Sequence, residues 1–312
     1  MREAIESTAS IGIVLPKLFP FPQDKPERML EGLMTILEDP FFTAVEVSYI
    51  ADPRTRLLAK QYMQYSGVDI LFNGGDAFRE LGIDLSSLDA EVRVESVERC
   101  KMLVDHCYEM DARIMHIVTG KYEGEDKKSR NVEAFMLSAM EICQYAKERA
   151  SSHGYELYIS LEIGDRHMDR HYLLGPTHEA VHVARTIRSQ YNNFGLLLDQ
   201  SHLPLMEEDA VQSLWLAKDE LTHIHIGNCY MKNREADYFG DKHIPFGVKD
   251  SEVGVDELTA FLAALKEIGF FQRPKPTRRP VVTFEMGRLA DESPRLVIAN
   301  MKRFFLEAWA NV

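Results

Sequence analysis

The chain has 312 residues, 45% of them hydrophobic and 27% charged, and its formal net charge is −13. These are ordinary values for a globular protein that buries a large core, and they exclude low-complexity and collagen-like chains. No block of Lys and Arg is long enough to track phosphates and no stretch approaches the roughly 20 apolar residues of a membrane span, so neither nucleic acid nor bilayer is an expected partner.

The N-terminus, Met1-Arg2-Glu3-Ala4-Ile5-Glu6-Ser7, carries acids early and lacks the apolar run of a signal peptide. A cytoplasmic location is expected. Cys100, Cys107, Cys143 and Cys229 form no CxxC pair and read as core thiols. Along the chain, short runs rich in Ile, Val, Leu and Phe predict strands at Ile11–Leu15, Ala44–Val47, Asp69–Phe72, Ile114–Val118, Leu157–Glu162, Phe194–Asp199, His223–Ile226 and Val281–Glu285. Helical stretches alternate with them. The clearest run from Asp89 to Met110 and from Lys127 to Ser152, with others after Thr177, Asp209, Val255 and Ser293; Ser86, Asp126, Thr177 and Asp256 read as N-caps.

Repeated strand–helix units in one run predict a single (β/α)8 barrel spanning residues 1–312. An open doubly wound sheet is the competing architecture, but no GxGxxG follows the first strand. Two segments are longer than a barrel needs. Gly227–Val253 follows the seventh strand, on the face where barrel active sites form, and reads as substrate-shaping. Gly269–Pro280 precedes the eighth strand on the opposite face and reads as an inert insertion or a subunit contact.

Polar groups end several of these apolar strands. Leu157-Tyr158-Ile159-Ser160-Leu161-Glu162 and Gly195-Leu196-Leu197-Leu198-Asp199 end in carboxylates, the second with His202 three residues on. Thr222-His223-Ile224-His225-Ile226 puts two imidazoles on one strand face, and Val281-Val282-Thr283-Phe284-Glu285 ends in another carboxylate. Clustered unpaired carboxylates would be costly to bury, and a divalent cation removes that cost. Glu162, Asp199, His225 and Glu285 form a hard, oxygen-rich donor set suited to Mn²⁺ or Mg²⁺, with Co²⁺ tolerated. Salt bridging at strand ends is the plainer reading of any one of them.

The ordered motifs Leu-Glu-Ile-Gly, Leu-Asp-Gln-Ser-His, His-Ile-His-Ile-Gly and Phe-Glu-Met-Gly resemble the xylose-isomerase-like barrel superfamily. That group includes sugar isomerases, ketose 3-epimerases, inosose dehydratases, hydroxypyruvate isomerases and a DNA-repair endonuclease branch. The resemblance implies that Glu162, Asp199, His225 and Glu285 bind the metal, that Glu162 and Glu285 also exchange the proton beside a carbonyl, and that His202 contacts the substrate. Where the epimerases carry an Arg six residues after the metal histidine, this chain has Met231, with Lys232 and Arg234 nearby. The segment Gly240-Asp241-Lys242-His243-Ile244-Pro245-Phe246-Gly247 is similar to the catalytic subunits of C-glycoside deglycosidases and to branched-sugar-acid decarboxylases.

Further candidates come from strand ends and the long loop. His116 reads as a base or substrate contact, or as a hydrogen-bonded core histidine. Glu46 could face the substrate or pair with an Arg, His243 could be a mouth contact or solvated, and His223 sits deeper than His225. Arg166 and Phe246 complete the expected substrate contacts. The expected function is metal-dependent proton abstraction next to the carbonyl of a sugar or keto-sugar, as isomerase, epimerase or related lyase. Phosphodiester cleavage is the alternative, but that branch needs extra histidines at earlier strand ends, and Leu71-Phe72-Asn73-Gly74-Gly75 supplies none. A homo-oligomer is expected, with a second subunit as a further option.

Overall fold

The computed structural model describes residues 5–289 and 292–312; Met1–Ala4, read above for targeting, lie outside them. Its strands are β1 (Ser10–Ile13), β2 (Ala44–Val47), β3 (Asp69–Asn73), β4 (Ile114–Ile117), β5 (Tyr158–Glu162), β6 (Phe194–Asp199), β7 (Leu221–Ile226) and β8 (Val281–Phe284). They form one eight-stranded parallel sheet in which β1 pairs with β8 and sequence neighbours pair from β2 to β8. The ring is completed between β1 and β2 by a parallel bridge from Val14 to Glu46 and by Thr43 N–H donating to Ile11 O at 2.9 Å. With helices between the strands, this is the expected (β/α)8 barrel.

Both faces of these strands are buried, which is why they read as apolar runs rather than alternating ones. Ala44, Leu71, Ile114 and Val281, with Tyr158, fill one interior layer. Two residues further along β2, β4 and β8 the same faces carry Glu46, His116 and Thr283. Period two therefore stacks an apolar plug beneath a polar layer. The pairing of β6 with β7 slips once, so that Leu196 faces Leu221 while Leu197 faces His223. The extra residue, Thr222, is held by its hydroxyl on Leu196 O at 3.1 Å, and beyond it His223 and His225 point inward.

The helices following the strands match the expected segments, at Ala90–Met110, Glu125–His153, Thr177–Arg188, Ala210–Ala217, Val255–Glu267 and Pro294–Trp309. Their expected caps are corrected. Asp89, not Ser86, caps the first of these, accepting from Glu91 and Val92 N–H. Asp126 and Asp256 lie inside the first turn, where a negative charge still favours the helix dipole, and the N-caps are Gly124 and Gly254. At Thr177, also the first turn rather than the cap, the Glu208 carboxylate takes the orphan N–H at 2.9 Å. Among the described residues, no helix is long and apolar enough to cross a membrane.

The Gly269–Pro280 segment is tied to the lower rim. Lys275 Nζ donates to Leu221 O at 2.6 Å, and Arg278 pairs with Asp69 at 3.2 Å.

The helix Gly74–Leu81 starts hard against β4. A Cβ on Gly74 would lie 2.0 Å from the carbonyl oxygen of His116, a backbone atom that cannot step aside. Gly74→Ala is therefore expected to destabilise the barrel by about 1–3 kcal/mol, the usual cost of overpacking. Urea unfolding measures it, and an unchanged midpoint would contradict the contact.

Candidate active site

The inward side chains of the last strands meet at the C-terminal rim. Glu162 ends β5, Asp199 ends β6, His225 lies near the end of β7, and Glu285 follows β8. One donor atom from each lies within 4.8 Å of all the others. His225 Nδ1 stands 2.5 Å from Glu285 Oε2, 3.5 Å from Glu162 Oε1 and 4.0 Å from Asp199 Oδ2. Glu162 Oε1 and Asp199 Oδ2 are buried and have no hydrogen-bond partner among the described residues. Buried carboxylate oxygens rarely go without a hydrogen bond, so a pair held only by long contacts to imidazoles is suited to a cation. Three carboxylates and an imidazole, all buried, fit a hard divalent ion.

Glu46 is fully buried on β2 and pairs with histidines, not with an Arg or the cavity. Its Oε2 lies 3.0 Å from His225 Nε2 and its Oε1 lies 2.8 Å from His116 Nδ1. Accepting from Nε2–H of His225, it leaves Nδ1 facing the other donors, as a carboxylate behind a metal-binding imidazole should. His116 is oriented from both sides. Gly75 N–H donates to its Nε2 at 3.1 Å, so Nδ1 carries the proton given to Glu46. Glu162 and Glu46 favour a second proton on this ring against the effect of burial, yet the Gly75 N–H already occupies the lone pair at Nε2. His223 lies deeper, bonded to Thr283 Oγ1 at 3.0 Å, and burial pushes it down to about 3, so it stays neutral.

The 227–253 segment adds a second group of donors. Its Tyr230 and Gly240 form a bridge, and beyond this Asp241 and His243 turn into the rim. His243 takes the left-handed conformation, φ 49°, which a non-glycine residue adopts at a cost. Its Nε2 reaches Asp241 Oδ1 at 2.8 Å and its Nδ1 lies 3.6 Å from Asp199 Oδ2. His202 also approaches Asp241 Oδ1, at 3.2 Å, while Ile163 O fixes its Nδ1 at 2.8 Å. Donor atoms of Asp199, His202 and His243 thus also lie within 4.8 Å of one another, beside the first cluster.

Charge is unevenly balanced here. Burial would raise Glu285, but His243, Lys17 and His225 hold it well below the usual carboxylate range. Burial likewise fails to raise Asp241, which His243 and His202 depress. Asp199 goes the other way, because burial outweighs its histidine neighbours. His225 is pushed well above its ordinary value, Glu46 and Glu285 overcoming burial. Protons on the imidazoles stand where a cation would otherwise offset the carboxylates.

Sequence reasoning missed several residues of this site. Lys17, in the short helix Leu15–Leu18 just past β1, salt-bridges Glu285 at 3.0 Å. Arg170 grips Asp241 through Oδ2 at 2.5 Å and the carbonyl at 2.9 Å, and with Tyr172, Asn73 and Gly75 it lines the cavity above the donors. Lys17 follows a strand end, which was the available signal; Arg170 and Tyr172 lie in an irregular segment and had none. Two expected contacts lie elsewhere. Arg166 is taken by Glu179 and Leu173 O, both at 2.6 Å, and Phe246 is buried against Phe304, ring centroids 5.3 Å apart. Neither Lys232, paired with Glu252, nor Arg234, 5.9 Å from the Phe239 ring, lines the cavity.

Residues 42–295 match the family model described as xylose isomerase-like TIM barrel, and the chain belongs to that family. Curated protein sequences gave no match. Among solved structures, an L-ribulose 3-epimerase superposes with a TM-score of 0.66 at 18% identity, covering 97% of this chain and 95% of that one. A 3-keto-D-glucoside 4-epimerase from E. coli gives 0.62 at 14%, covering 95% and 98%. An AP endonuclease, family 2, from Brucella melitensis gives 0.67 at 16%, again covering 95% and 98%. At these identities the likeness is one of fold.

Glu46→Gln keeps the shape of a buried side chain but turns one ring N–H toward an amide N–H. Cation affinity is expected to fall about 10–100-fold, the usual effect of losing such a supporting carboxylate. Titrating metal-depleted protein with Mn²⁺ checks it; undiminished affinity would remove Glu46 from this role.

Proposed function

We propose that the chain is an enzyme that abstracts the proton next to the carbonyl of a sugar or keto-sugar, with a divalent cation, Mn²⁺ by the donor set, held by Glu162, Asp199, His225 and Glu285. The observation that carries this reading is the pair of unpartnered buried oxygens on Glu162 and Asp199 within reach of His225 and Glu285. The structural likeness to proteins described as sugar epimerases supports the substrate class. The bound cation would polarise the carbonyl and favour the enolised form.

The protein's own groups do the rest. Glu162 and Glu285 approach the rim from β5 and β8, so one carboxylate can take the carbon-bound proton while the other returns it. Lys17 keeps Glu285 ionised and able to accept. His116 Nε2 lies 3.4 Å from Glu162 Oε2, so the ring stands at the edge of the same space. His202 and His243 face the same space and can hydrogen-bond substrate hydroxyls. Return of the proton to the opposite face gives epimerisation, return to the neighbouring carbon gives isomerisation, and loss of a β-substituent gives elimination, the outcome a 3-keto-glycoside allows.

A second reading has one observation in its favour. Asp199, His202 and His243 form a further donor cluster beside the first, the arrangement a two-cation phosphodiesterase needs. Against it stand the net charge of −13 and Asn73 at the end of β3, where a histidine would be required. Metal stoichiometry separates the two readings: one bound ion per chain favours the sugar enzyme, two favour the phosphodiesterase.

Mn²⁺-loaded protein is expected to exchange a carbon-bound proton of ketohexoses or 3-keto-glucosides in heavy water, followed by NMR. Glu162→Gln and Glu285→Gln should each slow the exchange at least about 10²-fold at saturating metal, the low end for acid–base catalysis. Near-native exchange in either metal-replete variant removes that residue from the acid–base pair. No exchange with any member of the panel sinks the reading itself.

A further inference from the structure

The cavity above the donors measures about 20 Å³, room for one water but not for a sugar, nor for a cation that still carries its own waters. Some part of its wall must therefore move. Strand ends and the helix Gly74–Leu81 are fixed by the barrel, which leaves the two irregular segments that supply Arg170, Tyr172, Asp241 and His243. The 227–253 segment is held by its own core, with Cys229, Ile244, Phe246 and Val253 buried. Residues 164–175, between β5 and the helix Thr177–Arg188, are held differently. Ile163, Leu173 and Leu174 are buried at the base, but the apolar side chains beyond it, Met168 and Tyr172, are only partly so.

The ends of this segment meet at a neck, where a Cβ on Gly175 would lie 2.9 Å from the Gly164 carbonyl oxygen. Above the neck the chain is braced by itself, as in a compact Ω-loop. The Asp165 carboxylate accepts from Met168 N–H at 2.6 Å and from Asp169 and Arg170 N–H at 2.8 Å, and Tyr172 N–H donates to Asp165 O at 2.8 Å. Arg166 ties the neck to Glu179, and the ties to the rim are polar on both sides. Toward β4, His171 O accepts from Tyr122 N–H at 2.8 Å. Toward the 227–253 segment, Asp169 accepts from Asp241 N–H and Lys242 Nζ, both at 2.9 Å, and Arg170 clasps Asp241. Arg170 and Tyr172 also belong to the wall shared with a neighbouring cavity of about 220 Å³.

We propose that Asp165–Tyr172 is a lid, latched over the donors by Asp169 and Arg170 on the 240–242 turn, and that it lifts as one unit from the neck at Gly164 and Gly175 to admit cation and substrate. A unit joined to its surroundings mainly by hydrogen bonds and ion pairs, with little buried apolar surface, opens well below the free energy of global unfolding. Lifting it takes Arg170 and Tyr172 out of the wall between the two cavities and joins them, which gives a small molecule the room that the donor end alone lacks. Reclosure returns both side chains to the bound molecule and excludes water. The inference stands apart from the sugar reading, because any ligand larger than a water meets the same wall.

Residue-resolved hydrogen exchange on the metal-depleted full chain tests it. The amides of Tyr122 and Asp241, on opposite sides of the lid, should show one common protection, lower than that of the strands. Those of Met168, Asp169 and Arg170 should stay more protected, because Asp165 travels with them. Asp169→Ala, at a residue that lines neither cavity, should speed exchange at Tyr122 about tenfold, as loss of a hydrogen bond to a charged group predicts. Lys242→Ala, which removes only an exposed ion pair, should speed it less. In both variants Mn²⁺ loading, followed by rapid-freeze EPR of the free ion, should accelerate in step with Tyr122 exchange, while an unchanged melting temperature shows the barrel intact. Separate protection at Tyr122 and Asp241, equally fast exchange at Met168 to Arg170, an unchanged Tyr122 rate in Asp169→Ala, or Mn²⁺ loading indifferent to either substitution overturns the proposal. Failure of Mn²⁺ to bind at all would sink the metal reading, and the amide measurements would still decide the lid.

Discussion

The crowding of negative charge at one end of the barrel constrains everything else in this molecule. Glu46, Glu162, Asp199, Asp241 and Glu285 are all buried at this rim, and among the described residues Lys17 and Arg170 bring permanent positive charge to them. Removing a carboxylate from water without a partner costs several kcal/mol. Part of that cost is offset by imidazoles that bridge the acids, with Glu46 serving His116 and His225, and Asp241 serving His202 and His243. The oxygens left over on Glu162 and Asp199 face inward, toward one point. A divalent cation there would complete the balance, which makes the fold and the proposed chemistry two consequences of one electrostatic requirement.

Meeting that requirement depends on backbone phase more than on composition. Period two puts the polar layer directly above the apolar layer of Ala44, Leu71, Ile114 and Val281. The extra residue in β7 sets the phase at which His223 and His225 enter the barrel. Gly74 lets the helix after β3 press against β4 and bring Gly75 N–H onto His116, so a glycine at one strand end decides which nitrogen of an imidazole on the next strand carries the proton. His243 reaches Asp241 from a strained backbone conformation. None of these devices belongs to the donor set itself.

The rim divides its labour around the ring. Strands β5 to β8 bring the donors, β2 and β4 hold their orientation, and the elements after β3, β4 and β5 line a cavity of about 220 Å³ beside them. The 227–253 segment, which length and position suggested as substrate-shaping, folds onto itself through Asn228 and contributes Asp241 and His243 to the donor end. Its aromatic Phe246 strengthens the core.

The sequence alone determined the barrel and the residues that end its strands. Both follow from local rules, since strand period and strand–helix alternation need no knowledge of what lies across the ring, and Glu162, Asp199, His225 and Glu285 sit at fixed offsets within their own strands. Cap positions were misread by one to three residues because backbone donors at Thr177 and Gly254 are satisfied by Glu208 and Glu257, not by the residue before the helix. The partner of Glu46 was beyond reach for a deeper reason. Besides His116 it is His225, 179 residues away, and only closure of the ring brings the two within 3.0 Å. Lys17, Asp241 and Arg170 entered the site in the same way, while Arg166 is taken by the half-buried Glu179. Such pairings depend on distances across the barrel mouth, and those exist only once β1 has met β2 and β8.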